Sequence, residues 1–216
     1  MIITCIGHAM FLFELDHGMR ILTDPVDAAS GYPVSPVQAD AVLVSHHHHD
    51  HCALENAPRA KVVETAGMHT LAPDVKVTAV QAWHDDAGGR KRGETLLFLL
   101  EAEGLRVAHL GDLGHLPTPE QVAALAPVDA LLVPVGGFYT IDALQAREVS
   151  SLLRARVILP MHYRTDYTKD WPIAPVQDFL QLFPQGQCAQ QPLLRVTRGD
   201  LVCQKHVVVL TPRLNG

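Results

Sequence analysis

Apolar positions in the first half of the chain come in short runs rather than at helical spacing. Ile2–Ile6, Met10–Leu15, Arg20–Thr23, Ala41–Ser45, Lys61–Val63, Val75–Ala82, Thr95–Glu103 and Arg106–Leu110 carry that pattern and predict strands. Gly18, Gly104 and the Asp85–Gly93 stretch punctuate them, and Glu103-Gly104 predicts a tight hairpin turn. The second half alternates. Thr118 as N-cap and Pro119 at the first helical position open a helix to about Leu125. Ala130–Pro134 reads as a buried strand. Asp142 caps a helix to about Leu153, with Leu144, Val149, Leu152 and Leu153 expected inward. A strand at Val157–Pro160, a helix at Ala174–Leu182 and strands at Leu193–Val196 and Val207–Leu210 complete the reading. Two packed sheets with helices outside follow, in a single domain spanning 1–216, because no repeat, low-complexity tract or long linker divides the chain. Asp24–Val37, the longest turn-rich stretch, reads as a loop.

Composition adds constraints. With 216 residues and 48% hydrophobic content there is material for a sizeable core. The net charge of −6 argues against a nucleic-acid partner. Arg90-Lys91-Arg92 reads first as a solvated turn, and second as a basic patch that could meet an anionic substrate. Cys5, Cys52, Cys188 and Cys203 are scattered, which excludes a zinc ribbon or a C-x-x-C redox motif. Cys5 and Cys203 lie in apolar runs and are expected to pack as small hydrophobes. The N-terminus has no basic region, and no uncharged apolar run reaches 18 residues. A cytoplasmic protein with reduced thiols and no membrane partner is therefore expected.

Histidine changes the picture most. The chain has 13, five of them between His46 and His51. The segment Ser45-His46-His47-His48-His49-Asp50-His51 follows the apolar Ala41–Val44. In extended chain, residues two apart face the same way about 6.6 Å apart, so His46 and His48 can converge on one cation. Asp50 and His51, where the chain turns, can reach a second. Imidazole and carboxylate suit zinc and other borderline divalent metals. An expression tag would sit at a terminus, and a chance histidine-rich loop would not also have a buried strand before it.

Ser45–His51 resembles the signature of the metallo-β-lactamase superfamily. Gly7-His8, Leu22-Thr23-Asp24-Pro25, Trp83-His84-Asp85, Leu110–His115, Pro134-Val135-Gly136-Gly137 and Leu159–Tyr163 resemble the branch of small bacterial hydrolases that includes L-ascorbate-6-phosphate lactonase. The resemblance implies an α+β fold, the four-layer αββα sandwich, with metals at one sheet edge. It implies His46, His48 and His84 on one metal, Asp50, His51 and His162 on the other, and Asp112 bridging. Strand geometry leaves His84, His109 and His115 as choices for the third ligand of the first metal. His84 is preferred because it ends a strand. His109, three before Asp112, should face the opposite way, into the core. Asp24 is expected to support ligands or a turn rather than to bind metal.

The expected activity is that of a hydrolase in which a hydroxide bridging two divalent ions attacks a small-molecule ester, lactone or phosphodiester. Zinc is the first choice of cofactor, and manganese, iron and nickel accept the same side chains. Asp50 is the candidate proton acceptor; His8, His115 and Tyr139 are candidate substrate contacts. The length leaves no room for the inserted nucleic-acid-binding domain of the large RNA-processing relatives, which points to a small, anionic metabolite as substrate. A homo-oligomer is compatible with the sequence. The alternatives are an iron-dependent, dioxygenase-like oxidoreductase on the same fold and a non-catalytic metal-binding protein. Diiron relatives usually carry Glu in place of His48, and a complete ligand set argues against lost catalysis.

Overall fold

The structure, a computed structural model, describes residues 1–184, 186–199 and 206–213; Cys203 lies outside them. Among the described residues the first sheet has six strands: β1 (Ile2–Gly7), β2 (Met10–Glu14), β3 (Arg20–Thr23), β4 (Ala41–Leu43), β5 (Lys61–Val63) and β13 (Leu194–Arg195), ordered β13-β1-β2-β3-β4-β5. The second has eight: β6 (Gly67–Ala72), β7 (Val75–Trp83), β8 (Glu94–Ala102), β9 (Leu105–His109), β10 (Ala130–Pro134), β11 (Val157–Met161), β12 (Cys188–Gln191) and β14 (Val207–Leu210), ordered β12-β14-β11-β10-β9-β8-β7-β6. Each alternates side chains between its two faces, and the facing sides meet in one apolar layer that includes Ile3, Phe11, Phe13, Phe98, Leu100, Leu132 and Leu159.

Among the described residues three helices, α1 (Pro119–Leu125), α2 (Ala143–Leu152) and α3 (Gln177–Leu180), cover the outer face of the second sheet, over a layer containing Leu97, Leu131, Val133, Val149 and Phe179. Thr118 and Asp142 cap α1 and α2 through reciprocal bonds with Gln121 and Gln145. The outer layer of the first sheet differs from the expected helices. It is built from loops and two short 3₁₀ turns, Ala28–Ser30 and Leu54–Asn56, that press Val26, Tyr32 and Val37 onto Leu12, Leu22 and Val42. Pro25, Pro33 and Pro36 interrupt that stretch and disfavour a regular helix. The metallo-β-lactamase sandwich is thus present, with one outer layer nearly free of α-helix.

Several local expectations change. Leu144 and Leu152 are exposed, and the inward stripe of α2 is Ala146, Val149, Ser150 and then Leu153. That stripe follows i, i+3, i+4, i+7, which the two outward leucines break. β6 and β12 carried no signal because both are sheet edges with half-exposed, polar-rich sequence. Helix α3 is shorter than Ala174–Leu182, since Ala174 donates its N–H to the Gly136 carbonyl and Pro175 bridges Arg164, holding the chain extended there. The Glu103-Gly104 turn has φ of 56° and 69°, the doubly left-handed pair of a tight hairpin. Among the described residues, no helix is long and apolar enough to cross a membrane.

Candidate metal centre

Strand direction gathers the polar residues. β1 opposes β2, β2 opposes β3, and β3 runs with β4, so β1 and β4 point the same way. β7 and β9 both oppose β8, while β9, β10 and β11 are parallel. His8, the His46–His51 turn, His84, Asp112 and His162 each follow the C-terminal end of one of these strands. Loops at such ends have one polar task per strand and need no regular pairing, which is why α/β-type sheets build sites there.

Two donor groups result. The nitrogens of His46, His48 and His84 lie within 4.8 Å of one another, as do donor atoms of His8, Asp50, His51 and His162. Asp112 stands between them. Its Oδ2 is 3.1 Å from His84 Nε2 and 3.2 Å from His162 Nε2, and its Oδ1 is 3.3 Å from His51 Nε2. His46 Nε2, His51 Nε2 and Asp112 Oδ1 are buried with no hydrogen-bond partner among the described residues. Unsatisfied buried groups of this kind are costly, and a cation between them would satisfy all three. The donor set therefore fits divalent ions.

The electrostatics agree. Burial, with His51 next, pushes His46 down to about 3, leaving a neutral ring that can donate a lone pair. Burial would raise the Asp112 carboxyl, but His162 and His51 outweigh it and hold it well below the usual range. Burial likewise opposes charge on His51, yet Asp112 and Asp24 lift it to about 10. Without a cation, a proton on His51 balances the crowded carboxylates; a metal would replace that proton.

Asp24, fully buried, sets ring orientation. Its Oδ1 accepts the Ser45 N–H at 2.7 Å; its Oδ2 accepts the Ser45 hydroxyl at 2.7 Å and lies 2.9 Å from His51 Nδ1. Since Ser45 donates to Asp24, its oxygen is left to accept from His46 Nδ1, 2.9 Å away. With the extra proton on His51 displaced by a cation, both rings would present an unprotonated Nε2 to the centre. Asp24, His8 and His162 have φ of 38°, 55° and 51°, strained values for non-glycine residues that cluster around this site.

A family model described as a beta-lactamase superfamily domain matches residues 2–162. The chain belongs to the beta-lactamase superfamily. A UPF0173 metal-dependent hydrolase of Pyrococcus furiosus is 31% identical over 201 residues, covering 79% of this chain and 85% of that protein. Among solved structures, a Thermotoga maritima protein of the metallo-beta-lactamase superfamily, described as a Zn-dependent hydrolase, superposes with a TM-score of 0.78 at 39% identity and covers 97% of both chains. Igni18, a metallo hydrolase of Ignicoccus hospitalis, gives 0.66 at 26% identity, covering 84% of this chain and 89% of its own. This chain is accordingly a metal-dependent hydrolase with a His/Asp cluster that could hold metal.

In this superfamily member a cavity of about 660 Å³ opens onto the donors. Besides His48, Asp50, His84, Asp112 and His162, its wall includes Arg92, Tyr139, Asp170 and Trp171. Tyr139 lies where a substrate contact was expected. His8 and His115 do not. His8 is buried behind the wall, its Nε2 3.4 Å from Asp50 Oδ2, and so joins the buried donor group instead of meeting substrate. Burial and neighbouring His162 push its ring down to about 4. The His115 Nε2 accepts the Trp83 N–H at 3.2 Å and its Nδ1 is 2.7 Å from the Leu116 carbonyl, so both ring nitrogens serve backbone. That stitch, with the Gly114 N–H on the Trp83 carbonyl at 2.9 Å, ties the Asp112 loop to the end of β7. A Cβ on Gly114 would come within 2.3 Å of the Asp85 nitrogen, so only glycine allows the crossing.

His109 is a core residue. Its Nε2 faces the Ala9 carbonyl at 2.9 Å and its Nδ1 accepts the Gly111 N–H at 3.2 Å, bridging the two sheets behind Asp24, whose Oδ2 is 4.0 Å from Nδ1. His47 and His49 are exposed, near Glu64 (3.7 Å) and Asp27 (3.3 Å). Gly136 lets the 134–140 loop approach the site, since a Cβ there would meet the His162 carbonyl at 2.2 Å. Sequence reading missed Asp85, Asp170 and Trp171, and put a substrate role for the Arg90–Arg92 patch second to a solvated turn, whereas Arg92 lines the cavity. The one signal available was Asp85, directly after His84 at the mouth of a glycine-rich loop.

Proposed function

We propose that the chain hydrolyses a small-molecule ester, lactone or phosphodiester at a site holding two divalent ions, zinc first. The observation that carries this is the Asp112 carboxylate, within 3.3 Å of histidines from both donor groups. One carboxylate touching both groups is what a two-ion centre needs, and a single ion would leave several buried donors without a task. Such a pair of ions, held by these residues, would supply a hydroxide nucleophile near neutral pH and would polarise the scissile carbonyl or phosphoryl group.

The chain's residues do the rest. His46, His48 and His84 would hold the more open ion, and Asp50, His51 and His162, with His8 beside them, the buried one. Asp24 and Ser45 orient two of these rings. Asp50 lines the cavity with its carboxyl held well below the usual range, burial being outweighed by His8 and His51. It stays ionised at the cavity wall, so it is placed to receive the proton the attacking water gives up, and its low proton affinity favours passing that proton on to the leaving group. Tyr139 and Trp171 wall the cavity, whose volume suits a metabolite-sized ligand. A soluble, cytoplasmic enzyme without nucleic-acid or membrane partners fits the acidic composition.

Elemental analysis joined to an activity screen tests the proposal. Two ions per chain, with turnover of at least one ester, lactone or phosphodiester that chelation abolishes and metal restores, is the expected result. One ion per chain, or no turnover by fully loaded protein, would sink it.

A further inference from the structure

We infer that Arg92 forms an anion-binding subsite in this cavity and selects substrates with a negatively charged group beside the scissile bond. The inference rests on the hydrolytic reading of the site and names the substrate class. The half-buried guanidinium lies 5.6 Å from the Tyr139 ring and 5.9 Å from that of Phe138. Tyr139 in turn is 6.4 Å from the His162 ring, so the cation sits about one aromatic side chain from the donors. Cation–π contact uses the charge but none of the five N–H donors. Among the described residues no acidic side chain pairs with Arg92 and no acceptor engages its guanidinium, whereas neighbouring Lys91 is already paired with Asp86 at 2.7 Å. A half-buried cation with a free planar fork facing a cavity is built for a carboxylate or a phosphate.

The fold holds this arm in place in advance. The Asp85 carboxylate accepts four backbone N–H groups, from Ala87 and Gly89 on Oδ1 and from Lys91 and Arg92 on Oδ2, at 2.7–3.0 Å. The loop closes with the His84 N–H on the Gly93 carbonyl at 3.0 Å, so Arg92 and His84 share one rigid frame. Phe138, under the guanidinium, is exposed and sits at a φ of 54°, strain retained next to the cavity-wall residue Tyr139. An ordered arm loses little freedom on binding. The competing feature is Asp170 on the same wall, but it is exposed and its field is screened accordingly.

The test uses three hydroxamates with one metal-binding head and a carboxylate, a carboxamide or an ammonium arm, titrated calorimetrically into metal-loaded protein. Wild type should bind the carboxylate about tenfold or more tighter than the carboxamide, the worth of one charge-assisted hydrogen bond. Arg92→Gln should erase that preference at unchanged metal content, and Arg92→Lys should keep part of it. Equal affinities in wild type, a preference that survives Arg92→Gln, or tighter binding of the ammonium arm would overturn the inference. If the protein fails to load metal or to hydrolyse anything, the functional reading fails separately. The carboxylate and carboxamide compounds without the hydroxamate head, titrated against tryptophan fluorescence, still decide Arg92, with the same loss expected in Arg92→Gln.

Discussion

The two donor groups differ in how the fold holds them. His8, Asp50, His51 and His162 are all buried, two of them at left-handed backbone positions, and His51 is tied directly to the buried Asp24. Of His46, His48 and His84, the last two line the cavity and only His48 is exposed, while His46 is buried and reaches Asp24 only through the Ser45 hydroxyl. The buried group is thus set before any ligand arrives, at the cost of backbone strain. The open group keeps one side accessible, as a site must that admits substrate. The difference teaches where each perturbation should act. Changes at Asp112 should strike both groups, changes at Asp24 chiefly the buried one, and changes at His109 neither.

Asp112→Ala should have the largest effect. It removes the only carboxylate in contact with histidines of both groups among the described residues. Metal content should fall below two per chain, and hydrolysis should drop by on the order of a thousandfold or more, because several kcal/mol of charge stabilisation are lost. Elemental analysis and kcat/KM check this; unchanged stoichiometry would remove Asp112 from its bridging position.

Asp24→Asn should come next and should split the groups. The amide cannot accept from Ser45 and His51 as the carboxylate does, and ring orientation in the buried group loosens. Affinity for one of the two ions should weaken by about 10–100-fold. The ion at His46, His48 and His84, one hydroxyl further away, should weaken less. Chelator competition that releases the two ions in separate steps reads this directly, and equal weakening of both would erase the distinction between the groups.

Much of this candidate site was legible in the sequence because its donor residues sit where strands stop. Ala41–Val44 before His46 and Val157–Met161 before His162 are continuous apolar runs and Val75–Trp83 before His84 alternates inward apolar with outward polar residues, so the strand ends stand out. His8 was misread as a substrate contact because a lone histidine after a strand does not reveal which side of a metal cluster it faces; the φ of 55° that turns it inward is a tertiary outcome. His115 was misread because the partners of its ring, Trp83 and Leu116, are backbone groups without a sequence signature. Arg92 looked like part of a solvated basic turn, and only the ring of amides around Asp85 shows why it points into the cavity. In the fold, edge strands β6 and β12 and the loop-built layer over the first sheet were hidden because their burial is partial and aperiodic.

His109→Ala gives the smallest expected effect on the centre and the sharpest control. Two ions per chain should remain, since His109 spends its ring on Ala9 and Gly111 between the sheets. Stability should fall by about 2–4 kcal/mol, from a cavity and two backbone groups left unpaired. The pH dependence fixes the ring's charge. Burial, only partly offset by Asp24, holds His109 below its ordinary value of 6.5. Above that pH the ring is neutral in both folded and unfolded chains and contributes no pH dependence. Below it the unfolded chain takes up a proton that the folded chain refuses, so wild type loses stability on acidification, and the variant lacks this one contribution. The gap between the two proteins should therefore narrow from pH 7.5 to pH 5.5, by at most about 1.4 kcal/mol per unit below the ordinary value. Denaturant melts at the two pH values measure it. A gap that widens instead would mean a protonated ring between the sheets, and loss of one ion would mean that His109 belongs among the donors.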